Sequence, residues 1–346
     1  MRILIVSDAW APQVNGVVRT LQRVKHECEQ LRHQVEAISP DQFRTVPCPT
    51  YPEIRLALRP GPAISKRMHD FRPDCVHIAT EGPLGFAARR YCVRHGMQFT
   101  TSYHTRFPEY VAARFPVPLG LSYALVRWFH SASSGVMVVT ETMRQELAGR
   151  GFTNLRPWSR GVDTDLFRPD HPPAIDLPKP VYLYVGRVAV EKNLGAFLDL
   201  PLSTGTKLVV GDGPALEGFR ASHPDVHFAG AKYGIELAQH YVSGDVFVFP
   251  SRTDTFGLVM LEALASGLPV AAYPVPGPLD VIEGSGCGVL DGDLGVAIDQ
   301  ALGIPRDRCR AYASGFSWRR CVEQFLGHLH RIDIEAQEMV RSAVSS

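Results

Sequence analysis

No apolar run in this 346-residue chain reaches the ~18 residues needed to cross a bilayer. Met1–Asp8 turns polar after a few apolar positions, too short for the core of a secretion signal. We therefore expect a cytoplasmic protein, in solution or peripheral on the cytoplasmic face of a membrane without crossing it. Excess charge is also missing: 36 Lys+Arg stand against 35 Asp+Glu, so no bulk attraction to nucleic acid is expected. The seven cysteines form no C-x-x-C pair and are odd in number, the pattern of reduced thiols rather than a disulfide framework. No His, Cys, Asp or Glu cluster has metal-ligand spacing, and no metal or other cofactor is expected. There is no repeat and no low-complexity tract. The G-x-G-x-x-G turn of nicotinamide enzymes is absent too: Gly211-x-Gly213 is followed by Leu216, and the first apolar run leads into Ser7-Asp8-Ala9-Trp10.

What the chain does have is apolar material for two sizeable cores, at 45% hydrophobic residues. Its near-zero net charge hides an asymmetry. Residues 1–165 carry 21 Lys+Arg and 14 Asp+Glu, whereas the remainder carries 15 and 21. A basic first half suggests an anionic partner, and a phospholipid surface is the usual intracellular candidate.

Short β-branched runs alternate with helical patterns. Ile3–Ser7, Val35–Ser39, Cys75–Ile78, Phe99–Tyr103 and Val136–Thr140 read as strands, separated by helical stretches such as Val17–Leu31, Leu84–His95 and Thr142–Gly149. A proline-rich segment follows, Arg168-Pro169-Asp170-His171-Pro172-Pro173 with Pro178 and Pro180. A second alternating series runs from Val181–Val185 to Gly288–Leu290, and Trp318–Arg331 has helical spacing. The expected fold class is α/β, with two doubly wound domains facing each other across a cleft, 1–168 with about 320–346 and 169–319. Ligands of such sheets bind beyond the carboxyl ends of the strands, so the loops after strands are where chemistry is expected.

The most informative of these loops is Pro250–Ala263, after the apolar run Val246–Phe249. Thr255 can cap a helix beginning near Gly257, leaving the amides of Gly257, Leu258 and Val259 as a phosphate site. Asp254 precedes that helix and Glu262 lies roughly 7–8 Å along its axis. Two carboxylates flanking a phosphate cradle suit a nucleotide sugar, one reaching the hexose and the other the ribose. The competing reading is a solvated loop aspartate and a helix glutamate in an ion pair. Arg187 and Lys192 straddle the loop after Val181–Val185, where paired cations can offset a diphosphate that leaves with more charge than it brought. Surface cations merely solvated are the alternative there.

In the first half, Val14-Asn15-Gly16-Val17 opens a helix, so the Gly16 backbone can approach a phosphate or acceptor closely, or serve only to start the helix. His104 follows a strand, where it can hydrogen-bond a sugar hydroxyl or departing phosphate, or be structural. Phe107–Phe129 mixes aromatic, aliphatic and arginine residues with a single acid, which suits an interfacial bed or a core helix with a few exposed arginines. Arg89, Arg90 and Arg94 add charge upstream. Arg106, Arg114, Arg127 and Trp128 are the candidate membrane or acceptor contacts.

These residues together carry a family resemblance. The run Thr253–Ala263 with Asp254-x7-Glu262, Gly186-Arg187 with Glu191-Lys192-Asn193, Gly211-Asp212-Gly213-Pro214, and Arg160-Gly161-Val162-Asp163-Thr164-Asp165-x-Phe167-x-Pro169 resemble the retaining GT-B glycosyltransferases of family four, in order and over nearly the whole chain. The resemblance implies two Rossmann-like domains, the first for the acceptor and the second for a nucleotide-sugar donor, with the last helix crossing back to the first. It implies that Arg187 and Lys192 bind the diphosphate, Glu262 the ribose and Asp254 the transferred sugar, with Gly16 and His104 lining the reaction centre. It also implies same-face attack in which the departing phosphate takes the acceptor proton. The family's usual first carboxylate is Glu, and Asp254 departs from it, which puts the sugar's identity in question. The Asp-Thr-Phe-Gly variant is similar to bacterial enzymes that glycosylate diacylglycerol and to related mannosyltransferases.

The expected activity is transfer of a hexosyl unit from a UDP-sugar to a lipid acceptor such as diacylglycerol. The alternatives are a GDP-mannose-dependent mannosyltransferase, a transferase acting on soluble glycans, a nucleotide-sugar epimerase and a non-catalytic nucleotide-sugar binder.

Overall fold

The computed structural model describes residues 1–332 except 14, 49–50, 105, 113–116, 203 and 255, with the backbone alone described at 51–53 and 110–112. The chain divides into two compact units, Met1–Ser159 with Cys321–Ser346, and Arg160–Arg320.

The strands of the first unit are β1 (Arg2–Val6), β2 (Gln34–Ile38), β3 (Thr45–Cys48), β4 (Tyr51–Ala57), β5 (Cys75–Ile78), β6 (Thr100–Tyr103), β7 (Gly135–Val138) and β8 (Leu155–Pro157). Its helices are α1 (Gly16–Gln30), α2 (Gly61–Phe71), α3 (Pro83–Arg94), α4 (Phe107–Ala112), α5 (Leu119–Ser131) and α6 (Glu141–Gly149). Six strands form one sheet in the order β2-β1-β5-β6-β7-β8, all pairs parallel, and β3-β4 is a separate antiparallel ribbon. Ile3, Leu4, Ile5 and Val6 are all fully buried, because helices cover both faces of a parallel sheet and leave no strand position for water. The order reverses at β1, which places the ligand-binding edge at the loops after β1 and β5.

The second unit contains β9 (Val181–Val185), β10 (Thr206–Val210), β11 (His227–Gly230), β12 (Val246–Phe249), β13 (Val270–Ala272) and β14 (Gly288–Leu290). Their order is β11-β10-β9-β12-β13-β14, again parallel throughout. The helices are α7 (Gly195–Leu198), α8 (Leu216–Ser222), α9 (Gly234–Ser243), α10 (Leu258–Ala265), α11 (Pro276–Ile282), α12 (Leu294–Ala301), α13 (Arg306–Ala313) and the start of α14 (Trp318–His328). The core includes Val209, Val246, Val248, Ala271 and Ile298. Here the strand order reverses between β9 and β12. The two loops that leave this point carry Arg187–Lys192 and Asp254–Leu258.

The compact division falls after Ser159, ahead of the proline-rich segment where composition places it. Residues 160–167 are held by the second unit: the Arg310 guanidinium donates to the carbonyls of Thr164, Phe167 and Ala265 at 2.9, 2.7 and 3.0 Å. Phe167 also packs edge-on against Tyr241. The rest of α14 belongs to the first unit. Phe325 meets His77 and Trp158 there, the Trp158 indole N–H donates to the Cys321 carbonyl at 3.1 Å, and Gln324 accepts from the Ser159 N–H and hydroxyl at 2.9 and 2.8 Å.

Candidate active site

The loop after β9 lies directly on the loop after β10. A Cβ at Gly211 would fall 1.8 Å from the Gly186 carbonyl oxygen, and one at Gly213 would fall 2.3 Å from that of Val188. Only glycine permits this approach. The loops are tied by Gly186 N–H to the Val210 carbonyl at 3.0 Å and Val188 N–H to the Asp212 carbonyl at 2.9 Å. The Gly211-Asp212-Gly213-Pro214 motif thus supports the loop that bears Arg187 and Lys192.

From that loop Lys192 reaches across to the loop after β12, with Nζ 2.5 Å from Asp254 Oδ1. Asn193, in the left-handed region at φ +54°, donates from its side chain to the Pro250 carbonyl at 3.0 Å, and Thr253 donates to the Glu191 carbonyl at 3.3 Å. The two loops are therefore one structural piece. Asp254 Oδ2 is buried and has no hydrogen-bond partner among the described residues. A buried carboxylate oxygen of this kind is an acceptor available for a ligand hydroxyl. Arg187 lies on the same loop, 3.7 Å from Glu191, and its carbonyl accepts from the buried Tyr184 hydroxyl at 2.8 Å. Burial, with the Asp254 and Glu191 charges added, raises the Tyr184 pKa and keeps it a neutral donor.

Helix α10 begins at Leu258, and its cap position is Gly257 rather than Thr255, which lies outside the described residues. Gly257 adopts φ +84°, and a Cβ there would sit 2.9 Å from both Met260 and Phe249 side-chain atoms. Among the described residues no side chain caps this end, and the amides of a helix's first turn have no partner within the helix. Gly277 brings the next loop onto this one, since a Cβ there would lie 2.8 Å from the Asp254 carbonyl. Glu262 is buried, and Tyr241 donates to its Oε2 at 2.8 Å. The two carboxylates have different neighbours: Lys192 meets Asp254, and Tyr241 donates to Glu262. Sequence reasoning missed Tyr241, whose signal is only an aromatic at helical spacing within α9.

In the first unit Gly16 is the first residue of α1, capped by Asn15, whose side chain accepts from Val18 N–H at 3.0 Å. His104 follows β6 and is buried with its ring 5.6 Å from that of Trp158. Two further groups at the ligand-binding edge went unnoticed in the sequence. Asp8, after β1, accepts from Leu84 N–H at 2.9 Å, Gly85 N–H at 3.2 Å and the Thr80 hydroxyl at 3.0 Å, which anchors the start of α3. Burial raises its pKa despite these donors. Glu81, in the loop after β5, is 3.1 Å from His130 Nε2, while His130 Nδ1 lies 2.8 Å from the Thr101 hydroxyl.

The candidate membrane contacts separate. Arg106 turns inward, bidentate to Glu146 at 2.6 and 3.3 Å, because that carboxylate satisfies its planar fork better than an outward pose would. Arg89 is likewise buried: it donates to the carbonyls of Phe129 and Trp128 at 2.8 and 3.0 Å, which end α5, so it is no surface charge. Arg127 is exposed and donates to the Arg150 carbonyl at 2.8 Å. Trp128 is half exposed, and Arg114 lies outside the described residues. No described helix is long and apolar enough to cross a membrane.

Comparison with known proteins matches residues 14–166 to the model of Glycosyltransferase Family 4 and residues 179–302 to that of Glycosyl transferases group 1. A GDP-mannose-dependent alpha-mannosyltransferase of Mycolicibacterium smegmatis is 30% identical, over 84% of both chains. The sulfoquinovosyl transferase of Arabidopsis thaliana is 35% identical over 69% of this chain but only 50% of its own length. An alpha-monoglucosyldiacylglycerol synthase of Streptococcus pneumoniae is 27% identical over 97% of this chain and 86% of that one. Among solved structures, Anabaena HepE in complex with UDP superposes with a TM-score of 0.69 at 16% identity, over 94% of this chain and 99% of that one. With two parallel-sheet Rossmann-like units and these relatives, the chain belongs to the family-four glycosyltransferases of GT-B fold and is a glycosyltransferase.

Proposed function

We propose that the enzyme transfers a hexosyl unit from a nucleoside diphosphate sugar, UDP-linked, to a lipid acceptor such as diacylglycerol, with retention at the anomeric carbon. The observation that carries the reading is the meeting of Lys192 and Asp254 from two loops at the reversal point of the second sheet, 2.5 Å apart. One group offers positive charge to a diphosphate while its neighbour offers a buried carboxylate oxygen to a sugar hydroxyl. Arg187 supplies the second cation and the start of α10 the amides. Glu262, fixed by Tyr241, accepts from the ribose. The first unit binds the acceptor, with Gly16 and His104 near the reacting groups.

In this reading the bond from the anomeric carbon to the diphosphate oxygen breaks as the acceptor oxygen bonds to the same face. The acceptor hydroxyl proton passes to the departing phosphate. Charge on that phosphate is the principal barrier, and preorganised cations and amides are the protein's means of lowering it. The named activity of the pneumococcal relative supports a diacylglycerol acceptor, and the UDP bound by HepE supports a UDP donor. A second reading, mannosyl transfer from GDP-mannose, has support from the mycobacterial relative.

The test is incubation with UDP- and GDP-sugars, with and without diacylglycerol vesicles, followed by product and anomer analysis. An α-linked glycolipid from an α-linked UDP-sugar upholds the proposal. A product from GDP-mannose alone selects the second reading. Sugar on soluble glycans only removes the lipid acceptor, and donor isomerisation without acceptor would make the protein an epimerase.

A further inference from the structure

Helix α5 presents an apolar face to solvent. Leu121, Leu125 and Trp128 recur at the i, i+4, i+7 spacing of one helix face, and they are 63%, 49% and 50% exposed. A globular helix normally turns such a stripe into the core. Here the core side is filled by other residues, Ser122, Tyr123, Val126 and Phe129. Trp128 is not loosely attached. Its ring stacks on Phe86 of α3 at 6.2 Å, and the Arg89 guanidinium lies 3.9 Å from its ring centroid while donating to the carbonyls at the end of α5. Arg89 therefore acts as a bracket that presents the indole outward.

The exposed charge on α3 and α5 has one sign, and the nearby carboxylate Glu109 of α4 accepts from Tyr123, on the core side of α5. Neither α3 nor α5 contains a carboxylate, whereas Arg90, Arg94 and Arg127 are exposed on them. Arg90 lies one turn beyond Phe86, the residue against which Trp128 stacks. An exposed apolar stripe with an interfacial tryptophan and flanking arginines is the composition of a helix lying in the plane of an anionic bilayer.

We propose that the outward face of α5, with Arg90 and Arg127 at its edge, docks the protein on an anionic lipid surface. This deepens the lipid-acceptor reading and rests on it for its purpose, while its test needs neither donor nor acceptor. The full chain is sedimented with vesicles of phosphatidylcholine alone and of phosphatidylcholine with phosphatidylglycerol. The wild type should bind the anionic vesicles more tightly. Leu121→Ser/Leu125→Ser should lower the partition coefficient by at least about tenfold at an unchanged melting temperature, since two half-exposed leucines lose their apolar burial. Arg90→Gln/Arg127→Gln should lower it by about tenfold on anionic vesicles only.

Equal binding by the wild type and the leucine variant overturns the proposal, as does absence of binding to either vesicle. Concentration-dependent self-association of the wild type, abolished in the leucine variant and without vesicle binding, assigns the face to a second copy instead. Glycolipid made from detergent-dispersed acceptor by a protein that ignores vesicles would sink docking and leave the activity standing. Vesicle binding with no glycolipid product from any donor would do the reverse.

Discussion

Lys192 Nζ and Asp254 Oδ1 lie 2.5 Å apart, although 62 residues separate them in the chain. The contact places at one point a cation and a carboxylate with one buried oxygen that has no partner among the described residues, where the proposed function needs a diphosphate contact beside a sugar contact. A flexible lysine would otherwise lose rotamer freedom when it engages a phosphate. Held by Asp254, it is already positioned, which is the condition under which a charge stabilises a transition state without reorganisation.

Replacement of Lys192 by alanine should therefore lower kcat by about two orders of magnitude or more, the scale of losing one charge-stabilising donor. The side chain is partly exposed, so the melting temperature should change little. Steady-state rates at saturating donor check this. A kcat within a few-fold of wild type would remove Lys192 from the chemistry.

Asp254→Glu restores the family's usual carboxylate and moves the acceptor oxygen outward by one methylene. Because Asp254 Oδ2 is buried without a partner among the described residues, its position matters to any hydroxyl it meets. We expect the ratio of kcat/KM values between two hexosyl donors to change by at least about tenfold, within what one polar contact can discriminate. An unchanged ratio across a donor panel would show that Asp254 does not read the sugar.

Much of this was legible in the sequence because it rests on local pattern. The buried strands β9 and β12 and the partly buried β14 coincide with the apolar runs that announce them, and β1, β2 and α1 are displaced by a single residue. The edge strand β8, Leu155-Arg156-Pro157, was not legible: it is three residues long, contains a proline and exposes its polar residues, as edge strands do. The β3-β4 ribbon was missed for a similar reason. In the site, the Lys192 and Asp254 motifs were readable individually, but their contact depends on sheet order. Arg106 and Arg89 were misread because composition does not show which way a cation points. Glu146 and the end of α5 decide that, and both are remote in sequence.

Asp74 offers a pH-dependent test of the first unit. Its carboxylate accepts from the Arg2 backbone N–H at 2.6 Å and from the Arg2 guanidinium at 3.3 Å, which joins the start of β1 to the start of β5. Partial burial raises its pKa, but the hydrogen bonds and charge of Arg2 outweigh that and hold it below the usual carboxylate range. A depressed folded-state pKa gives stability that is present above the unfolded value and is lost as pH falls through the folded one. Asp74→Ala should thus lower the melting temperature by about 2–4 °C near neutrality, the effect of roughly 1 kcal/mol. The gap between wild type and variant should narrow as the pH falls below about 4. Scanning calorimetry at several pH values checks it, and a gap that widens in acid would contradict the assignment.

Tyr241→Phe isolates the ribose end of the proposed site. The hydroxyl donates to Glu262 Oε2 at 2.8 Å inside the protein, and the ring remains packed against Phe167 and Phe247 after its removal. What is lost is the orientation of a buried carboxylate, worth about 1–2 kcal/mol. Ribose lies away from the breaking bond, so this contact is equally strong in the bound substrate and in the transition state. Uniform binding of that kind appears in KM and not in kcat. Donor KM should rise by about five- to twentyfold, with kcat within about twofold of wild type. A fall in kcat at unchanged KM would mean that Glu262 acts on the reacting groups and that the orientation of the donor along α10 is the reverse of the one proposed.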